Sequence, residues 1–182
     1  MRIAAVILAA GASTRFGSPK QLARIGERTM LDAVIALARG AGLDPVIAVV
    51  PTGVAVPDDV VPVVNDEPLA GISRSLRLGI DGVPGDVAAA VILLGDQPTV
   101  AVATIRALLA DRHDTPIVAA RAHGRLAPPV LIQRDGFALV EDTTGDIGLA
   151  PILARHPELV TAVEVGEHPP DVDTPRDLER LA

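Results

Sequence analysis

The run Ile3-Ala4-Ala5-Val6-Ile7-Leu8 contains no polar side chain. A strand built from it is apolar on both faces and has to be covered on both, which points to an inner strand of a parallel sheet flanked by helices. Residues 87–94, Val-Ala-Ala-Ala-Val-Ile-Leu-Leu, make the same demand. Both runs pass directly into loops of small or polar residues, 9–20 and Gly95-Asp96-Gln97-Pro98.

Between and after these strands the pattern alternates. Leu31, Val34, Ile35 and Ala38 recur at helical spacing before Gly40 and Gly42, and residues 45–50 read as a strand. Residues 60–64 give a short strand, and Ile72, Leu76 and Ile80 mark a helix from near Gly71 to before Gly82. Val102, Ile105, Leu108 and Leu109 predict the next helix, 116–120 and 130–132 strands, 136–140 and 147–154 short helices, and 160–165 a last strand. Pro175 suits the first turn of a terminal helix. Strands alternating with helices predict an α/β fold, a mostly parallel sheet with helices on both faces, in one domain over 1–182. Active groups in such folds sit on loops leaving the carboxyl ends of strands, where 9–20 and 95–98 both fall.

Composition removes several function classes. There is no cysteine, so thiolate metal sites, disulfides and cysteine nucleophiles are out. The net charge of −7 and the two aromatics, Phe16 and Phe137, provide neither the basic stripe nor the stacking platforms of a nucleic-acid binder. No apolar run approaches membrane-spanning length. With no charged n-region and cleavage site before the first strand, the expected location is cytoplasmic, with neither nucleic acid nor membrane as partner.

The first loop is a candidate anion cradle. Small residues let backbone N–H groups approach phosphate oxygens, and Arg15 and Lys20 add charge. Lys20 is the single lysine among 16 basic residues. The loop is not a Walker A loop, since Gly11 and Gly17 bracket five residues and Lys20 follows three later; an ordinary strand-to-helix turn is the plain alternative. Asp96, at the end of an apolar strand, is placed to hold Mg²⁺ or to cap the next helix. Asp171 or Asp173 offers a second carboxylate, or Asp171-Val172-Asp173-Thr174-Pro175 is a helix cap. Asn65, with Ser73 and Ser75 following, either reads a base or ribose or shapes a turn. His113, His123, His156 and His168 are scattered without metal-ligand spacing and read as solvent-facing, and no Gly-x-Ser-x-Gly elbow supports serine hydrolysis.

Taken together, Leu8-Ala9-Ala10-Gly11-Ala12-Ser13-Thr14-Arg15-Phe16-Gly17-Ser18-Pro19-Lys20-Gln21-Leu22, Asn65 with 71–76, Gly95-Asp96-Gln97-Pro98 and 171–178 resemble, in order, the blocks of the MobA-like NTP transferase family, and within it the molybdenum cofactor cytidylyltransferase (MocA-like) group. The resemblance implies a three-layer sandwich of the nucleotide-diphospho-sugar transferase type, Rossmann-like. It implies that Leu8, Ala9, Ala10, Gly11, Arg15, Lys20, Asn65, Ser73 and Ser75 bind nucleotide, that Arg15, Lys20 and Asp96 are catalytic, and that Asp96 and Asp173 hold Mg²⁺, with Asp146 the alternative second ligand. Ala10 stands where the guanylyl branch of the family has a second glycine, which implies CTP as donor. The chain departs from the family pattern at Pro128, in Gly124-Arg125-Leu126-Ala127-Pro128-Pro129, and at Ala150, where a Gly-Asp-x-Gly-x-Arg run would end in arginine.

The implied reaction moves CMP from CTP, or another NMP from its NTP, to the terminal phosphate of molybdopterin-type cofactor and releases pyrophosphate; a molybdoenzyme or its chaperone is the implied protein partner. The rival readings are a nucleotidyltransferase for a sugar or polyol phosphate, a non-catalytic carrier of the cofactor, and a nicotinamide-dependent oxidoreductase. The last lacks a dinucleotide fingerprint.

Overall fold

A computed structural model describes residues 1–13, 16–112 and 115–181. In it the first apolar run is a strand, β1 (Ile3–Leu8), whose alternate residues feed two separate cores. Ala5 and Ile7 enter one, Ala4, Val6 and Leu8 the other. Next comes a hairpin of two-residue strands, β2 (Arg24–Ile25) and β3 (Arg28–Thr29), too short to leave a periodicity in the sequence. Thr29 then caps α1 (Met30–Gly40) in a reciprocal capping box with Asp32.

The remaining elements follow the expected alternation: β4 (Val46–Pro51), β5 (Val61–Asn65), α2 (Ile72–Asp81), β6 (Ala89–Leu94), α3 (Val102–Ala110), β7 (Ile117–Ala122), β8 (Arg125–Gln133), α4 (Ala150–Arg155), β9 (Val160–Glu164) and α5 (Pro175–Glu179). A 3₁₀ stretch, Arg134–Asp142, takes the place of the helix expected at 136–140. The main sheet has the order β5-β4-β1-β6-β8-β7-β9, with only β8 reversed, so it is mostly parallel. The buried faces of α1 and α3 cover one side, those of α2 and α4 the other, giving the three layers. Gly79 lets α2 lie flush on the sheet: a Cβ there would run into Val6 Cγ1 and come within 3.0 Å of Val49 Cγ2.

One expectation is corrected in detail. The strands expected at 116–120 and 130–132 extend toward each other and join through His123 (φ 51°) and Gly124 (φ 75°), a turn of two left-handed residues. The register slips between Ala119, opposite Val130, and Ala120, opposite Ala127. The residues bulged out are Pro128 and Pro129, which have no N–H to give to the ladder. Because these prolines and Arg125 interrupt the apolar pattern, the sequence reads as loop where the chain is paired.

β1 and β6 are neighbours paired from Ile3 opposite Ala89 to Leu8 opposite Leu94. Their carboxyl ends are therefore level, and the two loops that follow emerge side by side. Gly95 N–H donates to Leu8 O at 2.9 Å, and a Cβ on Gly95 would lie 2.7 Å from that of Ala9. Among the described residues no helix is long and apolar enough to cross a membrane.

Candidate active site

A cavity of about 530 Å³ opens above these strand ends. One wall is the loop from Ala9 to Ser13; a second is Gly95 and Asp96 with Asp171 and Asp173; a third is formed where Gly71 meets Gly145. At that meeting point a Cβ on Gly71, whose φ is +90°, would overlap the Gly145 backbone, so only glycine permits the approach.

The first loop is pinned from inside. Ser13, at φ 52°, accepts from Lys20 N–H through Oγ (3.1 Å) and donates to Gly11 O (3.3 Å), which sets the start of the 3₁₀ turn Lys20–Leu22. The Lys20 side chain then reaches across the cavity floor. Its Nζ donates to Asp96 Oδ2 at 2.6 Å and lies 3.4 Å from Asp173 Oδ1, with the three side chains 19%, 21% and 32% exposed. Charges so sheltered interact more strongly than surface pairs.

Asp173 arrives from the far end of the chain. Val172, 1% exposed, donates its N–H to Asp96 O at 2.9 Å, and Gln97 Nε2 donates to Asp171 Oδ1 at 2.8 Å. Thr174 and Asp177 form a capping box on α5, and Asp177 Oδ2 also accepts the Asp173 N–H at 3.2 Å. Burial pushes the Asp171 carboxyl above the usual aspartate range; the Gln97 hydrogen bond opposes this, the charges of Asp96 and Asp173 add to it, and Lys20 also opposes it.

The donor set suits a divalent cation. The carboxylates of Asp96 and Asp173 already converge on one cationic centre, the Lys20 ammonium, and hard oxygen ligands are what Mg²⁺ or Mn²⁺ takes. Among the described residues no group of three or more histidines, aspartates or glutamates is arranged to hold a metal. Two carboxylates with the remaining positions left to phosphate and water is the usual Mg²⁺ arrangement.

Of the residues expected at the site, Leu8, Ala9, Ala10, Gly11, Lys20, Ser75, Asp96 and Asp173 line the cavity. Arg15 lies outside the described residues. Asn65 and Ser73 do not line it. Asn65 is 1% exposed and held at both amide atoms: Nδ2 donates to Ser75 Oγ at 2.9 Å, while Oδ1 accepts from Glu67 N–H at 3.0 Å and Arg74 Nε at 3.1 Å. It braces Ser75 from behind. Ser73 is fully buried, its N–H held by Gly145 O at 3.1 Å. Asp146 lines the cavity beside Gly145, with Oδ1 accepting from Ile72 N–H at the start of α2 (3.3 Å). His123, His156 and His168, Pro128 and Ala150 are not part of the lining. The sequence reading missed the docking of 143–146 on α2; its signal was the pair Gly71 and Gly145, both at positive φ.

The MobA-like NTP transferase domain model matches residues 5–160, which take in the first loop, the Gly71 segment and Asp96. The chain belongs to this family. Nucleotidyltransferase activity comes with that membership, while the corner at 171–173 lies past the matched segment. Rv0371c from Mycobacterium tuberculosis H37Rv is 35% identical with a TM-score of 0.84, the similarity covering 100% of this chain and 98% of that one. A manganese complex of Rv0371c superposes with a TM-score of 0.82 at 32% identity, over 100% and 98% of the two chains. The bifunctional protein GlmU of Hyphomonas neptunium is 36% identical over 122 residues, 61% of this chain but 26% of that protein, so the likeness spans about a quarter of its length. At 16% identity a CMP:2-keto-3-deoxy-manno-octonic acid synthetase complexed with CTP shares the fold, with a TM-score of 0.75 over 100% of this chain and 97% of that one.

Proposed function

We propose that this domain transfers a nucleoside monophosphate, CMP from CTP in preference, to a terminal phosphate of its acceptor, first among candidates the molybdopterin-type cofactor. The observation that carries this reading is the Lys20 ammonium held between Asp96 and Asp173 at the floor of a cavity walled by backbone of the first loop. An acceptor phosphate oxygen attacks the α-phosphorus, a new P–O bond forms, the bond to the β-phosphate oxygen breaks, and pyrophosphate leaves with its electron pair. A phosphate oxygen is nucleophilic without a general base, so positioning and charge compensation suffice and no histidine or cysteine is required. Lys20 offsets the charge gathering on the departing pyrophosphate, and the N–H groups of 10–13 orient it, that of Ala9 being held by Val49 O at 2.8 Å. Asp96 and Asp173 would hold Mg²⁺, which when bound neutralises α-phosphate charge. The manganese complex of Rv0371c supports a divalent ion in this family.

CTP is preferred on steric grounds. Ala10 borders the cavity and packs in the core on the α2 side, so the methyl it adds over the glycine of the guanylyl branch would narrow the room for a purine. A methyl group is worth roughly 10- to 200-fold in discrimination. A second reading, a sugar or polyol phosphate as acceptor, is favoured by the likeness to GlmU and by the departures at Pro128 and Ala150. Pyrophosphate release is measured with CTP and GTP in the presence of molybdopterin cofactor or a panel of sugar and polyol phosphates, and products are identified by mass spectrometry. A CMP adduct of the cofactor supports the first reading, and adducts of sugar or polyol phosphates alone replace it with the second. Equal kcat/KM for CTP and GTP removes the cytidylyl assignment, and pyrophosphate release with none of them removes both acceptors.

A further inference from the structure

Gln21 stands in the wall of the cavity, is 3% exposed, and its side-chain oxygen Oε1 has no hydrogen-bond partner. The other buried side-chain atoms in that state among the described residues belong to Ser73, Gln97 and His168, none of which lines this cavity. Oε1 itself is closed off from solvent, but buried carbonyls are nearly always paired, so an unpaired one in a residue that lines a ligand cavity asks for a donor, which a ligand supplies when the amide turns toward it. The turn does not need this oxygen: its backbone is satisfied by Leu22 N–H to Pro19 O and Ala23 N–H to Lys20 O, both 3.0 Å.

The chemistry narrows what the donor is. An amide oxygen accepts and never donates, and the phosphate oxygens of an ionised nucleotide also only accept, so Gln21 Oε1 cannot read the triphosphate that its neighbour Lys20 attracts. The donors on a cytidine nucleotide are the exocyclic amine of the base and the ribose hydroxyls. We propose that Gln21 Oε1 accepts a hydrogen bond from the nucleoside part of the bound nucleotide, so that adjacent residues divide the ligand, Lys20 taking its charge and Gln21 its nucleoside. The assignment rests on the nucleotidyl-transfer reading and names a specificity residue within it.

Gln21→Met keeps the length of the side chain and removes the acceptor. Calorimetric titration with Mg²⁺ present and no acceptor substrate compares CTP, UTP, 2′-deoxy-CTP and inorganic tripolyphosphate on the wild type and the variant. CTP is expected to weaken about tenfold in the variant, the worth of one hydrogen bond to a ligand, with tripolyphosphate unchanged. The wild-type preference for CTP over UTP, if the donor is the amine, or over 2′-deoxy-CTP, if it is the 2′-hydroxyl, is lost in the variant. The nucleotide-free melting temperature is expected not to fall, because no native hydrogen bond is removed, whereas a merely structural glutamine lowers it. Gln21→Leu repeats the test if the Met variant folds poorly. Unchanged CTP binding, equal losses for CTP and tripolyphosphate, or preferences that survive the substitution overturn the assignment while leaving nucleotide binding intact. A wild type that binds none of the nucleotides overturns the underlying reading along with it.

Discussion

Lys20→Arg separates the chemical role of this side chain from its structural one. The ammonium sits 2.6 Å from Asp96 Oδ2 and 3.4 Å from Asp173 Oδ1 with the side chain 19% exposed, so the space around it is set by two carboxylates and the loop. Arginine preserves the charge but replaces a compact donor by a broad planar fork on a longer stem. The ion pair can re-form with guanidinium, so stability is expected to change by no more than about 1 kcal/mol, roughly 2–4 °C for a domain of this size. The charge centre, however, shifts by about an ångström against the substrate, a displacement that costs up to about 100-fold in turnover. We expect kcat/KM for nucleotidyl transfer to fall about 10- to 100-fold, or 1.4 to 2.8 kcal/mol of transition-state stabilisation. Lys20→Met is the control in the other direction. It leaves Asp96 and Asp173 facing each other without a cation, costing about 1–3 kcal/mol, less than the fully buried limit because all three groups keep some solvent. Millimolar Mg²⁺ should restore much of that loss. Pyrophosphate release and thermal melts on the same samples give both readouts. A Lys20→Arg enzyme that turns over at the parental rate refutes the phosphate role assigned to this residue.

Asp96→Asn should abolish metal-dependent turnover with little change in fold, because the backbone bond from Val172 to Asp96 O is untouched; Asp173→Asn, more exposed and 0.8 Å farther from Lys20 (3.4 against 2.6 Å), should cost less in the same assay. Asp171 carries a carboxyl pushed up in the folded state, so the native protein binds more protons than the unfolded chain from the ordinary aspartate value, about 3.9, up to the raised one, and stability falls as pH rises through that window. In metal-free buffer Asp171→Asn, which does not titrate, should therefore gain melting temperature over the wild type as pH rises across the window, and a constant difference contradicts the sign. Gly79→Ala gains roughly 1 kcal/mol of helix propensity but drives a methyl into Val6 and Val49, so urea unfolding should show a net loss of about 1 kcal/mol or more.

The central strands were legible because 3–8 and 87–94 are apolar at every position, short, and followed at once by loop residues, which suits strands of a doubly covered sheet. Their register, which no periodicity encodes, brings Leu8 level with Leu94 and so turns two separate loops into two walls of one cavity. The polar residues behind the first loop were harder to read, since a sequence shows that a side chain is polar and not which way it faces. Helical geometry alone limits them: Ser73 and Ser75 are two positions apart on α2, about 200° around its axis, and cannot both face the ligand. The structure turns Ser75 to the cavity and buries Ser73 against the 143–146 loop.

The C-terminal corner shows a different limit. Asp171-Val172-Asp173-Thr174-Pro175 supports two readings from sequence, a helix cap or a second carboxylate for the metal, which look like competitors. In the folded chain they are one device. Thr174 caps α5 through Asp177, and the same Asp177 carboxylate takes the backbone N–H of Asp173, while buried Val172 fastens the segment to Asp96. The cap therefore fixes where the Asp173 side chain begins, and the anchor at Val172 fixes its distance from Asp96. A short helix with no buried residue of its own contributes little packing. Its place in the fold is explained by the carboxylate it aims at Lys20.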